Sequence, residues 1–174
     1  FIGTGSTGYS DLISKSNIAT ESYTATGIAP SVGPNRMSFF LNVHGPSQPI
    51  ETACSSSLVA VHRAILSIER GECELAIVGG VNTILTPEGY ISFSRAGMLS
   101  EDGKCKAFSS EANGYVRGEG VGVIILKKLF DAQKANDSIY GLIRSSADSK
   151  GGRYSSLTSP NPKAQAELLQ EAYL

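Results

Sequence analysis

The sequence predicts an α/β fold with a mainly parallel sheet and helices on both of its faces. The run Leu75–Gly80 is almost entirely apolar, as expected of a strand that is buried on both sides. Before it come an apolar helical stripe and a short extended segment that ends at Ile50. Strand, helix and strand in this order form a βαβ unit, in which the two strands run parallel. A second apolar run, Val121–Leu126, adds another buried strand.

The length and composition fit one globular domain. The chain has 174 residues, of which 41% are hydrophobic and 18% are charged. Its formal net charge of -1 gives no electrostatic reason to expect binding to nucleic acid or to an anionic membrane surface. No apolar run reaches the roughly 18 residues of a membrane span, and no signal peptide is visible.

The three cysteines, Cys54, Cys73 and Cys105, are odd in number and show no Cys-x-x-Cys spacing. This pattern argues against a disulfide framework and against a zinc site. It indicates a protein of the reducing cytosol, so we expect a cytoplasmic location.

The first residues allow two interpretations. Phe1–Gly3 resembles the end of a buried strand, and Gly3–Gly8 then spells the Gly-x-Gly-x-x-Gly pattern of dinucleotide-binding folds. Tyr9–Leu12 has little helical periodicity, which favours a glycine-rich turn after a core strand. Because the chain opens inside a strand and closes at Leu174 inside a helical pattern, we expect residues 1–174 to be a partial domain, truncated at both ends.

The segment that leads to the βαβ unit predicts helices without clear chemistry. Residues 16–32 are rich in Ser, Thr and Ala and predict a helix pair or a loop. Met37, Phe40 and Leu41 follow at helical spacing, and Gly45 is placed to end their helix.

One cysteine lies at the corner between the first strand of the βαβ unit and its helix. The apolar stripe of that helix recurs at spacings of three, four and three, at Leu58, Val61, Ile65 and Ile68. Cys54 therefore falls in the first helical turn, where free backbone N–H groups and the positive end of the helix dipole favour a thiolate. We expect Cys54 to be a reactive nucleophile; the alternative is a buried, inert cysteine among small residues.

Two blocks of the sequence resemble a known enzyme family. Thr52–Ala60 reads Thr-Ala-Cys-Ser-Ser-Ser-Leu-Val-Ala, which is similar to the active-site signature of β-ketoacyl synthases, and in particular of ketosynthase domains in modular polyketide synthases. Ala112–Gly120 reads Ala-Asn-Gly-Tyr-Val-Arg-Gly-Glu-Gly and resembles a second block of the same domains. The order and spacing of the two blocks also agree. The resemblance implies a thiolase-like fold, of which this chain would supply most of the N-terminal half.

Three positions depart from the family pattern. Glu51 stands where aspartate is usual, and Ser109 and Asn113 each replace a common aspartate. Asn113, together with the Asn-Val-His-Gly-Pro-Ser run at Asn42–Ser47, resembles the ketosynthases of polyketide synthases whose acyltransferase is a separate, trans-acting protein.

The resemblance implies a decarboxylative Claisen condensation with Cys54 as the catalytic residue. Cys54 would take an acyl chain from the phosphopantetheine arm of an acyl carrier protein and hold it as a thioester. A malonyl-type extender would then lose carbon dioxide and attack that thioester. The implied partners are acyl carrier protein, the other domains of the synthase and a second copy of the full domain in a homodimer. No cofactor or metal is expected to bind the chain directly.

The two histidines, His44 and His62, are expected to be structural. His62 follows Cys54 by eight residues along the helix, which is roughly 12 Å at a rise of 1.5 Å per residue. In the family the catalytic histidines come from later motifs, one of the form His-Gly-Thr-Gly-Thr, and neither motif occurs here. The chain alone is therefore expected to be inactive in condensation.

The remaining segments are also predicted to be structural. Arg117 and Glu119 are expected to form a buried ion pair rather than to act in the chemistry. Ile139–Arg144 predicts a further strand. Asn161 followed by Pro162 predicts the start of a helix.

Two other functions stay open at this point. One is a ketosynthase homologue that only transfers acyl chains or serves as a dimer partner. Non-catalytic partners usually lack the reactive cysteine, so Cys54 counts against that role. The other is a dinucleotide-binding domain built on Gly3–Gly8, which a titration with a nicotinamide dinucleotide would test.

Overall fold

Four β-strands and seven α-helices form the regular structure of the chain, in a computed structural model that describes residues 1–174. The centre of the fold is the longest helix, α4, together with two strands of eight residues each, β3 and β4. In chain order the elements are β1 (Ile2–Gly3), α1 (Tyr9–Lys15), α2 (Thr24–Ile28), α3 (Val32–Leu41), β2 (Pro49–Ile50), α4 (Ser56–Glu69), β3 (Leu75–Asn82), α5 (Glu88–Arg95), β4 (Gly120–Lys127), α6 (Leu129–Lys134) and α7 (Pro162–Tyr173).

The four strands form one sheet in the order β2-β1-β3-β4. β1 pairs in parallel with β2 and with β3, so the two strands of the βαβ unit run parallel, as predicted. β4 runs antiparallel to β3 along its whole length, from Leu75 opposite Lys127 to Asn82 opposite Gly120. An apolar run carries no signal of strand direction. Here the chain re-enters the sheet at the end where β3 stops, which makes this pairing antiparallel.

Helix α4 packs on one face of the sheet through small side chains. Ala60 and Ala64 are fully buried in a core that also contains Phe1, Ala76 and Val78. Alanine has no atoms beyond Cβ, so the helix axis can lie close to the strands. The buried face of α4 is therefore centred on its alanines.

The predicted aliphatic stripe of α4 lies to one side of this contact. Leu58, its first member, is 74% exposed, and Val61 and Ile65 are half-buried. Ile68 is the member of the stripe that reaches the core. The helix is rotated from the predicted orientation because close approach to the sheet requires small residues at the contact.

The strand β4 is covered only near its end, on the face toward α4. Leu126 packs against the core beside α4. Residues of a strand alternate between faces, so Val121, Val123 and Ile125 point away from α4, and all three are more than half exposed. The apolar composition of β4 predicts a strand that is buried on both sides. The rest of this chain covers only part of it.

Of the sequence predictions for the outer segments, one is confirmed and the others are not. Residues 139–144 form no strand, because no other strand of the sheet pairs with them. The Asn161 cap is confirmed: its Oδ1 accepts hydrogen bonds from the backbone N–H groups of Lys163 and Ala164 at 3.2 and 3.4 Å. Helix α3 ends earlier than predicted, because Asn42 adopts the left-handed conformation (φ 50°).

None of the helices combines the length and the apolar character that crossing a membrane requires.

Candidate active site

Cys54 lies on a sharp turn between β2 and α4. It is the middle residue of a single 3-10 turn, Ala53–Ser55, and its side chain is exposed. The α-helix begins at Ser56, so Cys54 precedes the first turn of α4 instead of lying inside it. The cause is the backbone of Ala53, which is left-handed with φ of 56°. This conformation costs a residue with a Cβ roughly 1–2 kcal/mol and turns the chain before the helix starts.

Side-chain hydrogen bonds brace this segment, residues 51–57, which we call the cysteine turn. Glu51 Oε1 accepts a hydrogen bond from the backbone N–H of Ala53 at 2.8 Å. The buried hydroxyl of Ser56 accepts one from the N–H of Thr52 at 2.9 Å and donates one to the carbonyl of Ala53 at 2.7 Å. A strained backbone persists where its surroundings fix it in this way. Glu51, a departure from the family pattern, therefore has a local structural task.

Two glycines bring the start of α4 against the sheet. A Cβ on Gly3 would lie 2.7 Å from the backbone nitrogen of Ser57, and a Cβ on Gly80 would lie 2.9 Å from Ser57 Cβ. Neither position has room for a side chain, so α4 rests directly on β1 and β3. Gly3, the first glycine of the Gly3–Gly8 pattern, is thus a packing glycine.

Replacing Gly3 by alanine is expected to destabilise the chain by about 1–3 kcal/mol, since the added methyl group would overlap the backbone of α4. Thermal or urea unfolding measures the loss. Gly5→Ala is the matched control, because a Cβ at Gly5 meets nothing within 4 Å. Equal stability of the two variants would contradict the close contact.

Cys54 opens onto a cavity of about 730 Å³, which we call the cysteine crevice. One side of the crevice is the cysteine turn, and the other is the segment Tyr115–Gly120 that leads into β4. The glycine-rich turn after β1, the end of β3 and Phe93 on α5 complete the lining. The fold therefore brings together the two sequence blocks that carry the family resemblance.

The segment opposite the cysteine turn is tied to the end of β3. The side-chain amide of Asn82 donates to the carbonyl of Gly118 at 2.5 Å, and the N–H of Ile84 donates to Glu119 Oε1 at 2.6 Å. The predicted ion pair between Arg117 and Glu119 is wrong: Arg117 takes part in none of the salt bridges of the structure. The carboxylate of Glu119 is bound by backbone, and the Arg117 guanidinium lies against aromatic rings of α5 instead.

Asp102 orders the polar loop that precedes this segment. Its carboxylate accepts hydrogen bonds from Lys106 Nζ at 2.8 Å and from the Ser100 hydroxyl at 2.6 Å. These two bonds, that of Lys106 first, lower the pKa of Asp102 to about 2. Because the carboxylate is exposed, the effect is local order of the loop rather than a large contribution to stability.

Neither histidine lines the cysteine crevice. His62 Nδ1 shares a hydrogen bond of 2.9 Å with the Ser146 hydroxyl, and His62 Nε2 is 3.6 Å from Asp148 Oδ1. His62 therefore fastens the segment after α6 to α4. His44 lines a separate cavity of about 90 Å³ beside Cys73. The structural role of both histidines stays a prediction.

The three thiols lie in different surroundings. Of them, only Cys54 lines the cysteine crevice. Cys105 Sγ accepts a hydrogen bond from the N–H of Val116 at 3.2 Å. Burial, followed by the charge of Glu72, raises the pKa of Cys73.

Sequence reasoning missed two features of the site. It did not identify Ser56 as the brace of the cysteine turn or Gly80 as a contact for α4. The available signal was the run of small residues at 53–57, which permits a tight corner but does not say which hydroxyl is buried.

The family assignment follows from comparison with known proteins. Residues 1–132 match the family described as Beta-ketoacyl synthase, N-terminal domain, and the chain belongs to this family. Its relatives include polyketide synthases. Polyketide synthase PksN of Bacillus subtilis (strain 168) is 62% identical over 173 residues, which are 99% of this chain and 3% of PksN. Polyketide synthase PksR of the same organism is 52% identical over 150 residues, 86% of this chain and 6% of PksR.

Solved ketosynthases have the same fold. The ketosynthase from module 6 of the bacillaene synthase from Bacillus subtilis 168 superimposes with a TM-score of 0.89 at 41% identity, over 99% of this chain and 28% of that one. The oxazolomycin ketosynthase domain OzmH KS7 of Streptomyces albus JA3453 has a TM-score of 0.86 at 36% identity, over 99% of this chain and 30% of its own. The predicted thiolase-like fold and the resemblance to polyketide ketosynthases are confirmed. The chain spans less than a third of either ketosynthase.

Proposed function

We propose that the chain is the cysteine-bearing part of a ketosynthase domain in a polyketide synthase. The observation that carries this proposal is the exposed thiol of Cys54, held on a strained turn directly before α4 and facing the cysteine crevice. The family match and the polyketide synthase relatives support it.

In the first step the thiolate of Cys54 attacks the carbonyl carbon of an acyl thioester on the phosphopantetheine arm of acyl carrier protein. The carrier thiol leaves with a proton, and the acyl chain remains on Cys54 as a new thioester. Cys54 lies directly before the N-terminus of α4, and its exposed thiol lines the cysteine crevice, where the acyl thioester would enter. The backbone N–H of Cys54 donates a hydrogen bond to the oxyanion that forms during the attack.

In the second step a malonyl-type extender on acyl carrier protein loses carbon dioxide. The carbon that carried the carboxylate then forms a bond to the thioester carbonyl, and the bond between that carbonyl and Cys54 Sγ breaks. The β-ketoacyl product leaves on the carrier, and Cys54 is free again. Two histidines from a later part of the domain would assist the decarboxylation and stabilise the oxyanion.

The subclass we propose is the ketosynthase of a synthase whose acyltransferase is a separate protein. Asn113 and the run Asn42–Ser47 support this assignment, as does the similarity to the bacillaene synthase ketosynthase. Asn113 Oδ1 lies 3.2 Å from Ser100 Oγ, the hydroxyl that donates to Asp102, so Asn113 belongs to the ordered loop beside the crevice. The partners we propose are acyl carrier protein, the other domains of the synthase and a second copy of the full domain.

Elongation is tested on a complete ketosynthase domain that contains this chain. The domain is first acylated, then mixed with malonyl-loaded acyl carrier protein. We expect one β-ketoacyl chain on the carrier and one molecule of carbon dioxide for each acyl group consumed, with mass spectrometry as the readout. Acylation of the domain without any condensation would contradict the elongating function and would identify a domain that only transfers acyl chains.

A further inference from the structure

Arg117 is the centre of an aromatic cluster in the wall of the cysteine crevice. Its guanidinium carbon lies 4.8 Å from the centre of the Phe93 ring and 5.4 Å from the centre of the Tyr90 ring. Its Nη1 donates a hydrogen bond to the Tyr115 hydroxyl at 3.3 Å. The rings of Phe93 and Tyr115 meet edge to face, with their centres 6.2 Å apart. We call these four side chains the arginine–aromatic cluster.

The charge of Arg117 is held by rings and not by a carboxylate. Its Nε is shielded from solvent and has no hydrogen-bond partner. An unpaired buried donor is unfavourable, so the other contacts of the guanidinium, its packing on Phe93 and Tyr90 and the hydrogen bond from Nη1 to Tyr115, must outweigh that penalty. A planar guanidinium stacks on a ring in a way that the compact ammonium of lysine does not. The arrangement therefore depends on arginine in particular.

The cluster connects α5 to the crevice that holds the nucleophile. Phe93, Tyr115 and Arg117 line the crevice, whereas Tyr90 supports the guanidinium without lining it. An acyl chain carried by Cys54 occupies this same cavity under the proposed function. The Phe93 ring is thus an apolar wall for that chain, and Arg117 lies against the ring.

Gly89 on α5 provides the space for this packing. A Cβ on Gly89 would lie 3.2 Å from Arg117 Nη2 and 3.5 Å from its Cζ. Glycine is a poor helix former, so its presence in α5 needs a reason. The reason is that glycine leaves space for the Arg117 guanidinium.

From these contacts we infer that Arg117 is a positioning residue that fixes the Phe93 ring, and that this ring limits the bulk of the acyl chains loaded onto Cys54. The inference rests on the proposed function of Cys54 and adds a selection step to it. With the ring held, a chain branched next to the thioester meets a rigid wall. If the Phe93 ring is free to move, a branched chain can push it aside, and the loading rate of branched chains comes closer to that of unbranched chains.

The test compares acylation rates in the complete domain. N-acetylcysteamine thioesters of acetate and of 2-methylbutanoate are supplied separately, and intact-protein mass spectrometry gives the rate for each. In Arg117→Ala the ratio of acetyl to 2-methylbutanoyl loading is expected to fall roughly tenfold, a change that corresponds to about 1.4 kcal/mol between the two transition states. In Arg117→Lys it is expected to fall in the same direction, because the charge alone does not stack on the ring.

Gly89→Ala separates positioning from general stability. The added methyl group would lie 3.2 Å from Arg117 Nη2 and would push the guanidinium by a few tenths of an ångström, while alanine favours the helix. The ratio is therefore expected to fall, by less than in Arg117→Ala, without a drop in Tm. Gly33→Ala in α3 is the matched control, since a Cβ there meets nothing within 4 Å, and its ratio should equal that of the wild type. If Arg117→Ala fails to fold, Gly89→Ala and Arg117→Lys decide the matter.

An unchanged ratio in Gly89→Ala and Arg117→Lys, with wild-type acetyl loading, would overturn the inference and leave the proposed function intact. A wild-type domain that takes neither acyl group onto Cys54 would contradict the proposed function itself, and this inference with it.

Discussion

Cys54→Ala is expected to abolish acyl loading of the complete domain. Alanine has no nucleophile at the position that lines the crevice, and neither of the other two thiols reaches it. Removing a catalytic nucleophile typically lowers rates by roughly 10⁴-fold or more, so the variant should show no acyl adduct on the timescale of wild-type loading. Intact-protein mass spectrometry after incubation with an acyl thioester gives the result.

Peptide mapping of the acylated wild type supplies the second half of this test. We expect the acyl group on Cys54 before Cys73 or Cys105. Cys73 is disfavoured because burial raises its pKa and leaves less thiolate at neutral pH. Cys105→Ser is the matched control: Cys105 is exposed like Cys54 but lies outside the crevice, and a serine hydroxyl keeps an acceptor for the N–H of Val116, so loading should be unchanged. An acyl group on Cys73 or Cys105 would show that the nucleophile has been assigned wrongly.

The fold was predictable where hydrophobic periodicity decides the structure. The stretch from Ile50 to Leu75–Asn82 forms the predicted βαβ unit, because apolar patterns of strand and helix follow each other at short range. The direction of β4 was not predictable, since the apolar composition of a strand does not indicate whether it pairs in parallel or antiparallel. The segment 139–144 has the composition of a strand, but a strand exists only where a neighbour pairs with it.

The site was predictable at its nucleophile and less so around it. Cys54 lies at the strand-to-helix corner where the sequence places it. The left-handed backbone of Ala53 leaves no mark in the sequence, because neither glycine nor asparagine stands there and contacts made by Ser56 and Glu51 fix it. The predicted ion pair of Arg117 was wrong for a similar reason. The partners of Arg117 are aromatic rings on α5, which is distant in the sequence, and no local sequence pattern predicts these contacts.

The 174-residue chain by itself is expected not to release carbon dioxide from malonyl-loaded acyl carrier protein. Decarboxylation needs groups that assist the departure of carbon dioxide and stabilise the oxyanion. General acid–base assistance raises the reaction rate by roughly 10²–10⁴-fold per group. His62 is engaged with Ser146 and Asp148, and His44 lines the cavity beside Cys73. Neither imidazole is placed to act on a substrate in the cysteine crevice.

A control distinguishes the absence of catalytic groups from misfolding of the isolated chain. Iodoacetamide should alkylate Cys54 in the isolated chain, because the cysteine turn is built from local contacts among residues 51–57. The exposed apolar face of β4 is expected to promote self-association, so the assay is run on material whose size is checked by light scattering. Turnover comparable to an intact ketosynthase would contradict the prediction. His44→Ala and His62→Ala would then show which imidazole supplies the assistance that we assign to residues outside this chain.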